Sequence, residues 1–356
     1  MSAVTVSPRD SQKGGQLWRP MMRVIAIKNR WTIVAVGALS MAVLIVILVE
    51  RAGLGGLYSS YLSNRCNTIR PGDGCGGLSN MFQAKRTVFS AVELLMRAIP
   101  VVIAVFVGAP LLSREFENNA YRFTWTQGMG RARYANSAIV LVGCFVGILS
   151  LVLGFSFAWY AHPFEVAGHA SMWAPGVFDE AGPVYALWTL LLYVIGVLIG
   201  LIARRIVAAM AWAVALTAGV IIGWTSAGLG WALGLSPQVT TSVSPEGIGL
   251  GRLDAAALPD SALHGSWLIQ AWITNARHEV LNPLATSRVQ ARLDSTPHGF
   301  VDHPIQWLEH HGFHYLVTFQ GPDRFGYFHG GMAVALVILT GLGLLGASRL
   351  VRREPA

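Results

Sequence analysis

The sequence predicts an all-α polytopic membrane protein with six transmembrane helices, and two observations lead to this fold class. First, 53% of the 356 residues are hydrophobic and only 12% are charged, whereas a soluble domain carries about 25% charged residues. Second, apolar stretches of about 20 residues recur along the chain, each long enough to cross the bilayer as a helix. The six predicted spans are Trp31–Val49, Val92–Leu112, Ala135–Tyr160, Pro183–Ala203, Ile206–Leu235 and Gly326–Ala347.

Two of these spans differ from a plain apolar helix. The second contains Glu93, Arg97 and Pro100 in one half, and charged side chains at membrane depth are costly unless they are paired. The fifth, Ile206–Leu235, is too long for one straight crossing, and its last part is rich in glycine. We therefore expect the fifth span to have a broken or re-entrant end.

The distribution of positive charge predicts that both termini are cytoplasmic. Fifteen of the 26 Lys and Arg residues lie in the segments that this orientation places inside, close to the span ends, as the positive-inside rule requires. The predicted organisation is a cytoplasmic tail with an interfacial amphipathic helix (1–30), spans one to five (31–235), a large extracytoplasmic loop region (236–325), and span six with a cytoplasmic tail (326–356).

The same charge pattern bears on partners. The positive charge follows the membrane edges and forms no nucleic-acid-binding motif, so the expected charged partner is the lipid membrane and no nucleic acid is expected.

The first extracytoplasmic loop contains two cysteines, Cys66 and Cys75, in the stretch NRCNTIRPGDGCGG. The Pro-Gly-Asp-Gly sequence between them bends the chain back, and an oxidising exterior favours a disulfide there. Cys144 lies within the third span and is expected to be a small packing residue.

Glu93 and Arg97 are separated by one helical turn in the second span. Residues at this spacing form ion pairs, which reduce the cost of placing charge near the membrane. Ionisable groups at membrane depth also mark substrate paths, so the two residues are candidates for a substrate path as well as for a simple pair.

Catalytic motifs are mostly excluded. The phosphate loop of an ATPase is absent, because the nearest match, Gly341–Ser348, has alanine in place of the lysine and lies inside an apolar span. His310 and His314 have the spacing of two metal ligands on a helix, but no acid or cysteine completes the set, so no metal site is predicted. Within the loop region, Ser266–Asn275 and Ile305–His311 are predicted to be helical.

The segment Gly108–Tyr134 carries the most specific pattern. It reads Gly-Ala-Pro, then Arg114-Glu115-Phe116-Glu117, then an aromatic stretch that ends in Trp-Thr-Gln, and then two arginines at 131 and 133. This pattern, followed by the third span, resembles the segment after the second span in actinobacterial permease subunits of ATP-binding-cassette type-2 (ABC-2-like) transporters. Six spans with cytoplasmic termini extend the resemblance over nearly the whole chain.

The resemblance implies that residues 113–134 are a coupling helix that inserts into a cleft on a separate ATPase subunit. Acidic residues near the start of a helix and basic residues near its end complement its dipole, and aromatic side chains are common interface anchors. A cytoplasmic surface helix that only satisfies the charge rule is the alternative. The implied ATPase contacts are Arg114, Glu115, Glu117, Arg122, Trp125, Thr126, Gln127 and Arg131.

The function implied is that of the membrane-spanning permease subunit of an ATP-driven exporter in a bacterial plasma membrane. The chain itself is expected to be no enzyme and to hold no cofactor, with ATP and Mg²⁺ bound by the ATPase partner and a second permease subunit completing a homodimer. Two alternatives from other classes remain open: a polytopic membrane enzyme, or a ligand-sensing membrane protein, each using the histidine-containing outer loop.

Overall fold

A computed structural model describes residues 25, 27–66, 74–117, 131–228, 239–243, 267–275, 277, 279–294 and 311–353. Nine α-helices and three β-strands lie in this part of the chain. The helices are α1 (Arg30–Ser63), α2 (Cys75–Ile103), α3 (Ala109–Glu117), α4 (Arg131–Val166), α5 (Pro175–Glu180), α6 (Gly182–Ala203), α7 (Ile206–Gly223), α8 (Pro283–Asp294) and α9 (Phe325–Arg353). The strands are β1 (Val239–Val243), β2 (Trp267–Thr274) and β3 (His314–Gln320).

Within the described residues, six helical segments are long and apolar enough to cross a membrane. Five of the predicted spans lie wholly within one of them. The fifth, Ile206–Leu235, begins with the segment Ile206–Ser226 and extends past it, partly beyond the described residues. The all-α prediction is therefore confirmed for the membrane-spanning part that the structure describes. The second segment is continuous from Cys75 to Glu117, because a π-helical turn, Ala104–Gly108, joins α2 to α3. The helix of the fifth span, α7, ends at Gly223 and is followed by a second π-helical turn, Trp224–Gly228.

The helices α1 and α2 both extend beyond the apolar stretches that predicted them. The helix α1 has 34 residues and is therefore about 50 Å long, more than the hydrocarbon thickness of about 30 Å. Much of the predicted first loop is thus helical, because α1 continues to Ser63 and α2 begins at Cys75. The disulfide between Cys66 and Cys75 is present, and it joins these two helices at what we call the disulfide end of the bundle.

Aromatic packing holds the extended helices together near the disulfide end. Phe82 and Phe89 of α2 are buried, and their rings contact those of Tyr61, Tyr160 and Phe164 at centroid distances of 4.6–5.8 Å. Such pairs add about 0.5–1.5 kcal/mol each beyond the area that they bury. Packing of rings, rather than apolar composition along the chain, therefore extends these helices beyond the predicted span limits.

The turn between α2 and α3 contacts α6 backbone to backbone. A side chain at Gly108 would overlap the carbonyl of Tyr193, and side chains at Gly196 and Gly200 would overlap the carbonyls of Ala104 and Ala109. Small residues let transmembrane helices approach this closely. The π-helical turn is therefore held directly against the backbone of α6.

Proline at position 100 of α2 leaves one carbonyl of this helix without its usual partner. Pro100 has no backbone N–H, so it cannot bond to the carbonyl of Met96, four residues earlier. The hydroxyl of Tyr185 in α6 donates a hydrogen bond to that carbonyl at 2.9 Å. Tyr185 thus provides the carbonyl of Met96 with the donor that Pro100 lacks, and the bond holds α6 beside α2.

The loop region 236–325 contains a three-stranded antiparallel sheet with the order β1-β3-β2. The prediction that Ser266–Asn275 is helical is wrong, because Trp267–Thr274 forms the edge strand β2 and pairs with β3. Its sequence, WLIQAWIT, is rich in aromatic and β-branched residues, which favour strands. Of the other segment predicted to be helical, Ile305–His311, only His311 is described, and it lies in a turn.

Candidate functional site

The two ends of the predicted coupling segment, residues 113–134, meet at the carboxylate of Glu115, together with Lys28. Lys28 donates to Oε1 of Glu115 at 2.6 Å, and the hydroxyl of Tyr134 donates to the same oxygen at 3.1 Å. The Glu115 side chain is only 9% exposed, whereas that of Lys28 is 44% exposed. We call these three residues the Glu115 network; it joins the chain before α1 to α3 and α4.

The charge of Lys28 is stabilised in this network. Burial lowers the pKa of Lys28, but the hydrogen bond and negative charge of Glu115 outweigh that effect, so the pKa is raised above its ordinary value of 10.5. Lys28 therefore keeps its positive charge throughout the physiological pH range.

Glu117 connects α3 to α7. Its Oε2 atom accepts a hydrogen bond from the backbone N–H of Ile206, the first residue of α7, at 2.8 Å. The first N–H groups of a helix have no partner within the helix and favour a negative charge. Phe116, the residue before Glu117 in α3, contacts the residue that follows α6: the guanidinium of Arg204 lies 6.0 Å from the centre of its ring.

The structure places the predicted coupling residues in different surroundings. Arg114 is exposed, Glu115 is turned inward, and Glu117 caps α7. Arg131 is the first residue of α4, while the remaining four predicted contacts lie outside the described residues. These are Arg122, Trp125, Thr126 and Gln127.

Sequence reasoning missed Lys28 and Tyr134 as partners of Glu115. They lie 87 and 19 positions away from Glu115 in sequence, beyond the reach of any helical spacing rule. The available signal was weak: a lysine just before the first span, and a tyrosine at the entry to the third.

Near the other end of the bundle, the predicted pair of Glu93 and Arg97 is confirmed. The Nη2 atom of Arg97 lies 3.0 Å from Oε1 of Glu93, and its Nε atom lies 3.2 Å from Oε1 of Glu180. Glu180 ends the short helix α5 and is 3% exposed. Its part in this site was missed, because 83 residues separate it from Arg97.

The space beside Arg97 and Glu180 forms a pocket, which we call the Glu180 pocket. It has an empty volume of about 390 Å³. Asp179 lies in its wall and accepts a hydrogen bond from Nε1 of Trp224, with Oδ1 at 3.0 Å and Oδ2 at 2.9 Å. The lining residues are Arg97, Pro100, Asp179, Glu180, Tyr185, Trp188, Leu192, Ile221, Trp224 and Thr225.

The pocket contains titratable groups outside the membrane-spanning helices. Burial raises the pKa of Asp179 to about 7, although the hydrogen bond from Trp224 and the charge of Arg97 act in the opposite direction. Burial also raises the pKa of Glu180 well above its ordinary value, and Arg97 only partly opposes this. The carboxyl group of Asp179 therefore exchanges its proton near neutral pH, and that of Glu180 holds its proton to a higher pH than an exposed glutamate does.

The two histidines with the spacing of metal ligands cannot be compared, because only one of them is described. His310 lies outside the described residues, and His314 begins β3. Among the described residues, no group of three or more His, Cys, Asp and Glu side chains could hold a metal ion.

Comparison with protein families gives one match. A family model described as ABC-2 membrane transporter related matches residues 36–227, which include most of α1 and all of α2 to α7. Neither a curated protein nor a solved structure matches this chain. The matched region includes most of the first membrane-length helix and all of the next four, Arg114, Glu115 and Glu117, and every lining residue of the Glu180 pocket. The chain is therefore a multi-pass membrane protein that belongs to the ABC-2 membrane transporter related family.

Proposed function

We propose that this chain is the permease subunit of an ATP-driven exporter, in which a separate ATPase subunit docks on residues 113–134 and its ATP hydrolysis moves the transmembrane helices. Family membership supports a transport role with an ATPase partner. The resemblance of Gly108–Tyr134 to actinobacterial permeases supports the docking segment and a bacterial plasma membrane as the location.

The orientation in this proposal follows from charge. With the termini in the cytoplasm, the Glu115 network and the ends of residues 113–134 face the cytoplasm, and the disulfide end faces outward. An oxidising exterior suits the Cys66–Cys75 disulfide. The predicted limits of the cytoplasmic tails, the 31–235 membrane region and the 236–325 outer region are part of this proposal.

The observation that carries the proposal is the linkage around α3. Glu115 contacts Lys28 and Tyr134, and Glu117 caps α7, so a force applied to α3 reaches the starts of three other helices. Switching elements transmit motion as rigid bodies through such packed contacts. Arg114, on the same helix, is exposed and is available to an acidic partner surface.

Two further features complete the proposed transporter. A second copy of the permease forms the other half, and each ATPase binds ATP and Mg²⁺ itself. Large apolar side chains on the outside of the bundle, such as Trp212 at 66% and Val207 at 79% exposure, would contact lipid or the second copy.

Affinity capture of the chain from native membranes tests the docking proposal. Arg114→Glu should reduce the amount of co-purified ATPase by about tenfold, the effect of losing about 1.4 kcal/mol of binding energy. Trp125→Ala should act in the same direction, because aromatic anchors carry much of the binding energy of an interface.

Arg349→Glu is the matched control, since Arg349 is also exposed and lies near the end of α9. It should leave ATPase capture unchanged. Equal capture by the Arg114, Trp125 and Arg349 variants, with normal membrane insertion in each, would contradict docking on residues 113–134.

A further inference from the structure

The Glu180 pocket has more acidic than basic side chains. Of the described residues that line it, Asp179 and Glu180 are acidic and Arg97 is basic. The guanidinium of Arg97 is also shared with Glu93, a third carboxylate. The single positive charge of Arg97 is therefore divided between two glutamates, and Asp179 lies beside them.

Glu180 has an acceptor atom without a donor. Its Oε1 atom is bonded to Arg97, but its Oε2 atom is buried, and no donor among the described residues lies within hydrogen-bond distance of it. The whole side chain is only 4% exposed. A buried oxygen of this kind is costly to leave unpaired, so an external donor that reached Oε2 would stabilise the site.

The other elements around the carboxylates supply few competing charges. Tyr185 of α6 uses its hydroxyl on the Met96 carbonyl, and Trp224 after α7 uses its N–H on Asp179. From α9, His329 contacts the ring of Phe178, the second residue before Glu180. None of these described groups donates to Oε2 of Glu180.

The pocket walls suit a positively charged apolar molecule. The rings of Trp188 and Trp224 lie 5.7 Å apart between centroids, and both line the pocket. Aromatic faces attract cations, especially where water is excluded. Part of the empty space of about 390 Å³ between these walls is open to solvent, so a bound molecule can extend out of the pocket.

We propose that the Glu180 pocket binds a protonated organic amine, whose ammonium group donates a hydrogen bond to Oε2 of Glu180 and whose apolar body lies against Trp188 and Trp224. This inference rests on the proposed function in one respect, namely that the amine is a substrate class of the exporter.

Protons are the competing occupants of the site. Burial raises the pKa of Asp179 to about 7 and that of Glu180 well above its ordinary value. The empty pocket is consequently protonated at low pH, and an ammonium group must displace protons to bind there. Affinity for the amine should therefore fall as the pH is lowered through neutrality.

Isothermal titration calorimetry on the full chain in lipid nanodiscs tests this proposal. Phenethylamine is the probe, and 2-phenylethanol is its uncharged analogue of similar size. At mildly alkaline pH, the amine should bind at least about tenfold more tightly than the alcohol, the effect of one favourable charged contact. Mild acidification should weaken only the amine.

Glu180→Gln should weaken amine binding by about tenfold and leave alcohol binding unchanged. Glu165→Gln is the control, since Glu165 is an acidic residue of α4 that does not line the pocket. Thermal unfolding of each variant shows whether it is folded, and Asp179→Asn replaces Glu180→Gln if the latter is not.

Three results would overturn the proposal: equal binding of amine and alcohol, no amine binding at millimolar concentration, or unchanged amine binding in both pocket variants. Protons would then be the expected occupants of the carboxyl groups. The assay contains no ATPase. Failure of amine binding therefore leaves the docking proposal intact, and failure of ATPase capture by the wild-type chain leaves the amine result intact.

Discussion

Two buried glutamates near opposite ends of the bundle have different surroundings. Glu115 is 7% exposed and Glu180 is 3% exposed, so both side chains are almost fully removed from solvent. Glu115 receives hydrogen bonds from Lys28 and Tyr134. Glu180 shares one arginine with Glu93, lies next to Asp179, and has its Oε2 atom unpaired among the described residues.

The difference shows how the same residue type can hold a structure in one place and bind a ligand in another. A buried carboxylate with good partners fixes the groups around it, because breaking the arrangement leaves a charge without compensation. Burying a carboxylate with an unpaired oxygen costs free energy, and binding of a proton or a cation to that oxygen lowers the cost. Three measurements test this contrast between the two glutamates.

The largest expected effect is on the pH dependence of stability. The folded protein holds a proton on Asp179 up to about pH 7, whereas an unfolded chain releases it near pH 3.9. The folded state binds more protons in this window, so the free energy of unfolding should fall as pH rises from about 4 to 7, by at most about 1.4 kcal/mol per pH unit from this group.

Denaturation of the wild type and of Asp179→Asn at about pH 5 and pH 8 measures this effect. The variant should show a smaller pH dependence. The raised pKa of Lys28 lies above this range, so its charge in the Glu115 network should not change between the two pH values. Equal pH dependence in the two proteins would show that Asp179 does not titrate as described.

The second effect compares matched substitutions of the two glutamates. Glu115→Gln should lower the free energy of unfolding by about 2 kcal/mol, because it weakens charge-assisted hydrogen bonds in a buried place. Glu180→Gln should cost much less or stabilise the protein, because it removes a poorly compensated buried charge and keeps an acceptor for Arg97. Unfolding in a denaturant series measures both, and equal losses would refute the distinction.

The smallest effect concerns the tyrosine that binds α2 beside the pocket. Tyr185→Phe should cost about 1 kcal/mol, because the buried carbonyl of Met96 loses its donor. Pro100→Ala restores a backbone N–H that can bond to the same carbonyl. In a double-mutant cycle, the tyrosine substitution should therefore cost less in the Pro100→Ala background; an unchanged cost would mean that the hydroxyl does not replace the missing bond.

Hydropathy and short-range spacing predicted the elements that depend on local sequence. The six spans followed from apolar length, the Glu93–Arg97 pair from helical spacing, and the Cys66–Cys75 disulfide from a turn sequence between two cysteines. The family resemblance likewise rested on a contiguous motif, Gly108–Tyr134, which lies wholly inside the range that the family model matches.

The missed features depend on contacts between distant parts of the chain. Glu180 joins Arg97 only because α5 folds back beside α2, and Lys28 reaches Glu115 only after α1 and α3 are placed together. The strand Trp267–Thr274 was misread because short apolar runs do not separate helix from strand; its pairing with β3 decides the matter.

The π-helical turn Ala104–Gly108 has a consequence for the relation between the two ends. Arg97 and Glu115 belong to one continuous helical segment, Cys75–Glu117, with this turn between them. A residue added to or removed from the turn rotates everything beyond it by about 100° around the helix axis. The turn Ala104–Gly108 packs against α6 at the glycine contacts described above. It thus sets the angle around the helix axis between Arg97, which faces the Glu180 pocket, and Glu115, which faces Lys28.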